Sequence, residues 1–339
     1  INEISKKGFI IADKIDSLIM TNRVTQRIKG LGMLQTGLSQ TVERENPDIL
    51  FVIGDREESI ATALVGNYMN KLVAHLGGGD SVYGNADDPI RFAVSKLSHI
   101  HFTTSNKYAD NLISTGEEKF RVFNVGNPAN ENIINTPNLN LTDLSKFLNF
   151  DLKNHNYFVL LKHPLSSEKE SAFKQMNLTL MAVQQFCKKN NFKVVGIYPN
   201  TDPGSYDIIN SIKSIENSSI KFFKNLPTNI FVNLIRNAKA LVGNSSMGIL
   251  EAPCYKLPVV NVGNRQLGRL NAGNVEFVDY DVKNILKAIE KACFDQDYRK
   301  MIKEIINPFG DGTSSEKIKK ILLDLDLDDT KWHIKKKLF

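Results

Sequence analysis

Long apolar runs are missing from this chain: the longest, such as Ile49 to Ile53, reach about five residues, against the roughly 20 that a membrane-spanning helix needs. No membrane partner is expected. Cysteine is scarce as well. Cys187, Cys254 and Cys293 form an odd set without CxxC spacing, which argues against a disulfide framework and a thiolate metal site and points to a reducing, cytoplasmic compartment. Charge of one sign is barely in excess, since 43 basic residues against 37 acidic ones leave a net of +6. Part of that surplus sits in the tail Lys335-Lys336-Lys337, so a small phosphate-bearing ligand is accommodated and a nucleic-acid groove is not demanded. The opening residues Ile1 to Ile11 mix charge with apolar residues and do not read as a signal peptide. An isoleucine where an initiating methionine would stand leads us to expect a segment upstream.

What is present is an ordinary globular composition, 42% hydrophobic and 24% charged over 339 residues. That length exceeds the roughly 250 to 300 residues at which single cores stop growing, so two domains are expected, 1–150 and 151–317, with a terminal helix over 318–339. Strand-like apolar runs alternate with helix-period segments, the pattern of a parallel sheet flanked by helices. The first series runs through Ile49 to Ile53, Lys71 to His75, Ile100 to Thr103 and Arg121 to Asn124. Between Gly126 and Asn156 the chain turns rich in Asn, Pro and Thr and loses its period, so it reads as a linker with at most one short helix. The second series runs through Tyr157 to Leu161, Lys193 to Ile197, Ile220 to Phe223, Ala240 to Val242 and Val259 to Val262. Thr313-Ser314-Ser315-Glu316 has capping-box spacing and predicts a helix through Leu325.

Ligands of open parallel sheets bind outside the carboxyl ends of strands, and the residues there are polar. Gly54-Asp55-Arg56 follows the first strand; His75-Leu76-Gly77-Gly78-Gly79-Asp80 follows the second, with Asp87, Asp88 and Arg91 downstream. Taken singly, each carboxylate reads equally as a helix cap or first-turn acid; clustered after adjacent strands, they can converge on one crevice. The second series contributes Lys162-His163-Pro164, Asn200-Thr201-Asp202 and Gly243-Asn244-Ser245-Ser246-Met247-Gly248. That last turn enters a helix whose unpaired N–H groups and two hydroxyls suit a diphosphate, with a plain Ser cap as the simpler alternative. Arg265 adds a cation able to bind in bidentate fashion, and Glu251 an acceptor for ribose hydroxyls one to two turns into the helix. His99 and His101 share a strand face but lack a third ligand, and the triple glycine is not GxGxxG. Neither a metal nor a nicotinamide is therefore expected, and no cofactor is assigned.

In this order and spacing, these residues resemble the hydrolysing UDP-N-acetylglucosamine 2-epimerases of sialic acid and legionaminic acid synthesis. The likeness rests on Gly54-Asp55-Arg56, His75-x-Gly77-Gly78-Gly79-Asp80, Asp87-Asp88-x-Ile90-Arg91, Lys96-Leu97-Ser98-His99, His163-Pro164, Asn200-x-Asp202-x-Gly204-Ser205, Gly243-Asn244-Ser245-Ser246 and Gly263-x-Arg265-Gln266-x-Gly268-Arg269. It implies an α/β, GT-B-like fold of two doubly wound, Rossmann-like parallel-sheet domains. It also implies an interdomain active-site cleft, a terminal helix crossing back to the first domain, and a homodimer or homotetramer. The family's first strand and its Arg-containing loop are not evident ahead of Ile49. Gly77 stands where many members have Glu, which shifts the acid–base load onto Asp55, Asp80, Asp87 and Asp88.

The resemblance implies loss of UDP from C1 with removal of the C2 proton, then hydration of the resulting glycal to the free 2-epimer. Asp55 and Asp88 are the favoured proton-transfer groups. Arg56, His163, Ser245, Ser246, Glu251 and Arg265 fall to the UDP, and His75, Arg91, Asn200 and Asp202 to positioning the sugar. Three alternatives stay open: a sister enzyme acting on UDP-2,4-diacetamido-2,4,6-trideoxyglucose, a GT-B glycosyltransferase, and a non-catalytic UDP-sugar sensor.

Overall fold

The computed structural model describes residues 2–19, 24–82, 87–215 and 218–334; the lysines at 335–337 lie outside them. Contacts divide the chain into two units, one formed by residues up to Asp80, Asp87–Val125 and the chain from Lys317 onward, the other by Ser81–Ala86 and Gly126–Glu316. Both are α/β with wholly parallel sheets.

The first sheet holds β1 (Ile49–Ile53), β2 (Leu72–Leu76), β3 (Ile100–Thr103) and β4 (Val122–Asn124) in chain order. Every residue of β2 and β3 is buried, as expected of central parallel strands covered on both faces. Alternation splits them between two cores. Leu72, Ala74 and Leu76 pack with Ile100, Phe102 and Trp332, and with the tail residues Ile318, Leu322 and Leu325. Val73 faces the other way, onto Ala63 and Val94 of the helices Glu57–Tyr68 and Asp87–Leu97. The terminal segment is thus one wall of this sheet.

Its anchor is Arg121, only 1% exposed although charged. Its guanidinium donates to the carbonyls of His99 and Trp332, each at 3.2 Å, of Ile334 at 3.1 Å and of Lys331. Nε donates to Glu118 at 2.8 Å. Three of those carbonyls close the short helix Thr330–His333, where backbone acceptors have no partner of their own. The expected helix after Thr313 is Ser314–Leu323. The Thr313 hydroxyl turns to Asp311 instead of forming the reciprocal box, and Glu131 receives the Ser315 amide.

The second sheet has the order β10-β9-β8-β5-β6-β7, with β5 (Tyr157–Leu161), β6 (Lys193–Ile197), β7 (Ile220–Phe223), β8 (Leu241–Gly243), β9 (Val259–Val262) and β10 (Val275–Val278). The chain starts in the middle at β5, moves outward to β7, then returns to β8 beside β5 and proceeds to the opposite edge. That reversal between β5 and β8 is the switch point of a doubly wound sheet. Phe158 and Leu160 enter one core with Phe186, Val194 and Ile289, whereas Tyr157, Val159 and Leu161 enter the other with Leu234 and Leu241. The stretch read as a linker folds into the helices Ala129–Asn135 and Leu141–Leu148, and Leu144, Leu148 and Leu152 pack in this second core. Two apolar residues four apart on a short helix suffice to dock it.

Replacing Arg121 with Leu is expected to leave the carbonyls of the terminal helix without a donor and to lower stability by roughly 3 kcal/mol. Amide exchange should rise first in 317–334 while β2 and β3 stay protected; uniform loss of protection across this unit would contradict a local latch.

Candidate active site

In the first unit, loops after β1 and β2 converge on one guanidinium. The ladder continues past both strand ends, Gly54 N–H donating to Leu76 O and Gly77 N–H to Phe102 O, both at 2.9 Å. At Gly79, φ is +79° and a Cβ would stand 2.2 Å from the Tyr108 carbonyl oxygen. No other residue fits there, and the glycine run is a packed loop that delivers Asp80. Arg91, on the helix Asp87–Leu97, donates to Gly77 O at 3.1 Å, pairs with Asp55, and reaches Asp80 Oδ2 at 3.6 Å. One cation thus compensates two largely buried carboxylates.

Asp87 is the first residue of that helix and Asp88, half-buried, the second. Arg56 holds the extended position just before the helix Glu57–Tyr68. His75, expected to position a sugar, is wholly buried. Its Nε2 meets Gly54 O at 2.8 Å and its Nδ1 meets Ser95 Oγ at 3.1 Å. With both nitrogens engaged, it braces the loop carrying Asp55. His99 Nδ1 accepts from the Val73 amide, and His101 is paired with buried Glu117.

In the second unit, the turns after β5 and β8 are stitched together at the switch point. Asn244 Oδ1 accepts from the His163 amide at 2.7 Å while its Nδ2 donates to His163 O at 2.9 Å. Gly243 permits this approach: φ is +136°, and a Cβ would lie 2.0 Å from Leu161 O. The Asn244 carbonyl in turn accepts from Arg265 Nη1 at 3.2 Å and Gln266 Nε2 at 3.1 Å. From the end of β6, the Asn200 amide donates to His163 Nδ1 at 3.0 Å, and the Asn200 side chain bonds Asp202. A ring nitrogen that accepts is unprotonated, so in the neutral ring the proton sits on Nε2 and His163 keeps one N–H to donate.

The helix after Ser246 is shorter than expected. It comprises Met247–Leu250 only and passes at Glu251 into the 3-10 turn Ala252–Tyr255, because Pro253 has no N–H to continue an α-helix. Ser245 Oγ accepts from the Met247 amide at 3.3 Å. So short a helix has little macrodipole, and positive charge for an anion comes instead from Arg265. Glu251 therefore closes the single turn rather than riding on its flank. Burial raises its carboxyl to about 7, so near neutrality it can donate as well as accept a hydrogen bond. Burial, with Arg265 as the second cause, lowers the His163 imidazole to about 4 and keeps it neutral.

Sequence reasoning did not count Lys162 among the site residues, although it is 2% exposed beside His163. The available signal was a charged residue directly following a run of five buried positions.

Over residues 1–323 the chain matches the family model described as UDP-N-acetylglucosamine 2-epimerase. It is 32% identical over 289 residues to the GDP/UDP-N,N'-diacetylbacillosamine 2-epimerase (hydrolyzing) of Campylobacter jejuni, covering 84% of this chain and 74% of the relative. It is also 32% identical over 265 residues to the UDP-N-acetylglucosamine 2-epimerase of Neisseria meningitidis, covering 78% and 68%. The crystal structure of UDP-GlcNAc 2-epimerase from Neisseria meningitidis bound to UDP-GlcNAc superposes with a TM-score of 0.77 at 20% identity, over 91% of this chain and 84% of that one. The fold is accordingly the GT-B-like one, with two Rossmann-like units.

Nitrogen-detected NMR of the His163 ring should show an Nε2–H tautomer with a midpoint near 4. Because the folded value lies below the usual 6.5 or so, the unfolded chain binds the extra proton first. Stability should then be complete above about pH 6.5 and fall as pH drops toward 4. A midpoint above 6 would remove the neutral-donor assignment.

Proposed function

This chain belongs to the UDP-N-acetylglucosamine 2-epimerase family, and from that premise we propose that it is of the hydrolysing kind, turning UDP-N-acetylglucosamine and water into N-acetylmannosamine and UDP. The observation that carries the proposal is the stitched turn at the reversal of strand order, which ties the turn carrying His163 to the turn carrying Ser245 and Ser246 and to Arg265; we assign the His163 Nε2–H, the two hydroxyls and the guanidinium to the diphosphate. These are donors to oxygen, and a departing diphosphate needs donors where its charge grows.

Carbon 2 of the sugar has no carbonyl beside it, so simple removal and return of its proton is too costly; elimination is not. A base takes the C2 proton, the C1–O bond to UDP breaks, and a C1–C2 double bond forms. Water then adds, a proton returning to C2 from the opposite face and hydroxyl entering at C1. Atoms and electrons balance without a redox cofactor. We assign the two proton transfers to Asp55 and Asp88, with Asp80 and Asp87 beside them in sequence. Arg91 holds Asp55 and Asp80, and Asn200 with Asp202 orient the sugar through their bonds to the His163 turn. Arg56 and Glu251 are assigned to the nucleotide, Glu251 to its ribose.

The relative from Campylobacter jejuni favours a second substrate of the same reaction, the nucleotide-linked diacetamido sugar that its description names. The two substrates share the chemistry at C1 and C2 and differ at C4 and C6. Three free cysteines support a reducing compartment, and we extend the proposal to a cytoplasmic homodimer or homotetramer feeding sialic acid synthesis.

Incubation with each UDP-sugar in deuterated water is expected to yield UDP and a free 2-epimer carrying deuterium at C2 by NMR. A product still linked to UDP would overturn the hydrolytic assignment. Asp55→Asn should reduce turnover by about 10³-fold while UDP affinity changes little, and near-normal turnover would remove Asp55 from the mechanism. Arg265→Ala should lower kcat by about 10²-fold; a raised KM at constant kcat would confine Arg265 to ground-state binding.

A further inference from the structure

Lys162 has no role in the reaction as assigned, yet it occupies the residue after β5 at the switch point. Its Nζ is buried with no hydrogen-bond partner among the described residues and lies 4.6 Å from the centroid of the Tyr280 ring. Tyr280 Oη is likewise buried and has no hydrogen-bond partner among the described residues. Gly263 admits that ring: φ is +88°, and a Cβ there would stand 2.1 Å from Tyr280 Oη. A cation over an aromatic face recovers only part of the hydration that an ammonium loses on burial. An alkyl side chain would fill such a site without that loss.

The groups facing this amine belong to the nucleotide cradle. Arg265, from the turn Asn264–Gln266, repels its charged form; Glu168, from the turn Ser166–Ser171, favours it. Glu168 is itself committed, accepting from Gln175 Nε2 at 2.6 Å and Asn264 Nδ2 at 2.9 Å. His163, next in the chain, faces Arg265 and Asp202 and stays neutral. Burial, the largest influence, lowers the lysine to about 7. Without an anion, a charged Lys162 would meet Arg265 with Glu168, already hydrogen-bonded elsewhere, as its attracting carboxylate; a diphosphate would compensate both cations.

We propose that Lys162 is the charge-adjusting residue of the nucleotide site, its amine taking a proton from solvent when a diphosphate docks and returning it when the diphosphate leaves. The inference rests on the nucleotide reading of His163, Ser245, Ser246 and Arg265. The step is R–NH₂ plus H⁺ giving R–NH₃⁺, with water or buffer as the source. UDP affinity is thereby linked to pH in a range where a terminal phosphate is already largely ionised.

Calorimetric titration with UDP at pH 8, in two buffers of different ionisation enthalpy, should report uptake of close to one proton more by the wild type than by Lys162→Met, any proton moved at Glu251 being common to both. The ratio of wild-type to variant Kd should rise close to tenfold per pH unit between about 7 and 9, a slope that Glu251, present in both, does not supply. Side-chain NMR of labelled lysine should find the amine titrating near 7 in the free protein and moving upward with UDP or inorganic pyrophosphate. The same pH dependence of UDP affinity in wild type and variant, or a Lys162 signal that titrates near the ordinary lysine value, would overturn the linkage alone. A wild type that binds no UDP would overturn the nucleotide reading and the linkage with it. The amine titration, read on the free protein, needs no ligand and keeps the two failures apart.

Discussion

Asn244 uses both ends of its side-chain amide on the backbone of a single residue, His163, accepting from its N–H and donating to its carbonyl. Those groups lie just past the ends of β5 and β8, beyond the last rung of the parallel ladder, where a side chain satisfies them in place of a strand. An amide side chain that takes over where the strands end holds the two turns at a set distance, and the Asn244 carbonyl then gathers Arg265 and Gln266. Without the glycine before it the clamp cannot close, because the backbone at Gly243 passes directly against Leu161. The placing of the His163 turn and the direction of Arg265 follow from that stitch, while the tautomer of His163 is set by the Asn200 amide.

Charge is handled differently within each unit. In the first, the buried charged groups are paired: Arg91 with Asp55 and Asp80, Glu117 with Lys96 and with the His101 ring, Arg121 with helix-end carbonyls and Glu118. In the second, the titratable groups of the site are shifted chiefly by burial: Lys162 and His163 downward, Glu251 upward. Each of those shifts favours the neutral form, as desolvation must. A site kept in that state responds strongly to the arrival of an anion, whereas a site of closed ion pairs would already be satisfied.

Strands were the most legible feature. Tyr157–Leu161, Lys193–Ile197 and Val259–Val262 appear as read, because buried parallel strands are short apolar runs that need no partner information to recognise. β10 escaped notice: Val275–Val278 is a four-residue edge strand, partly exposed throughout, with Glu276 interrupting its apolar run. The helix Val24–Glu45 also went unread, its apolar stripe broken by Gly30, Gly32 and Gly37. The residues between Gly126 and Asn156 looked like a linker because Asn and Pro dominate them. Their few leucines acquire meaning only once a sheet is present to receive them. Among site residues, the acids after β1 and β2 and the Gly243-Asn244-Ser245-Ser246 turn were visible as polar punctuation after apolar runs. Bracing by His75 and burial of Lys162 were not, since both depend on atoms from distant parts of the chain.

Sequence alone therefore determined the class of fold, the family and the chemical character of each strand-end loop, because these reside in local pattern and in motifs read in order. Only the tertiary structure decided which of those polar residues face one another, which are spent on holding loops, and which buried groups lose their charge. The physical reason is that hydrogen-bond partnership and desolvation are properties of a three-dimensional neighbourhood. Asn244 and Lys162 owe their positions at the site to strands whose adjacency is set by topology, and no periodicity along the chain encodes that adjacency.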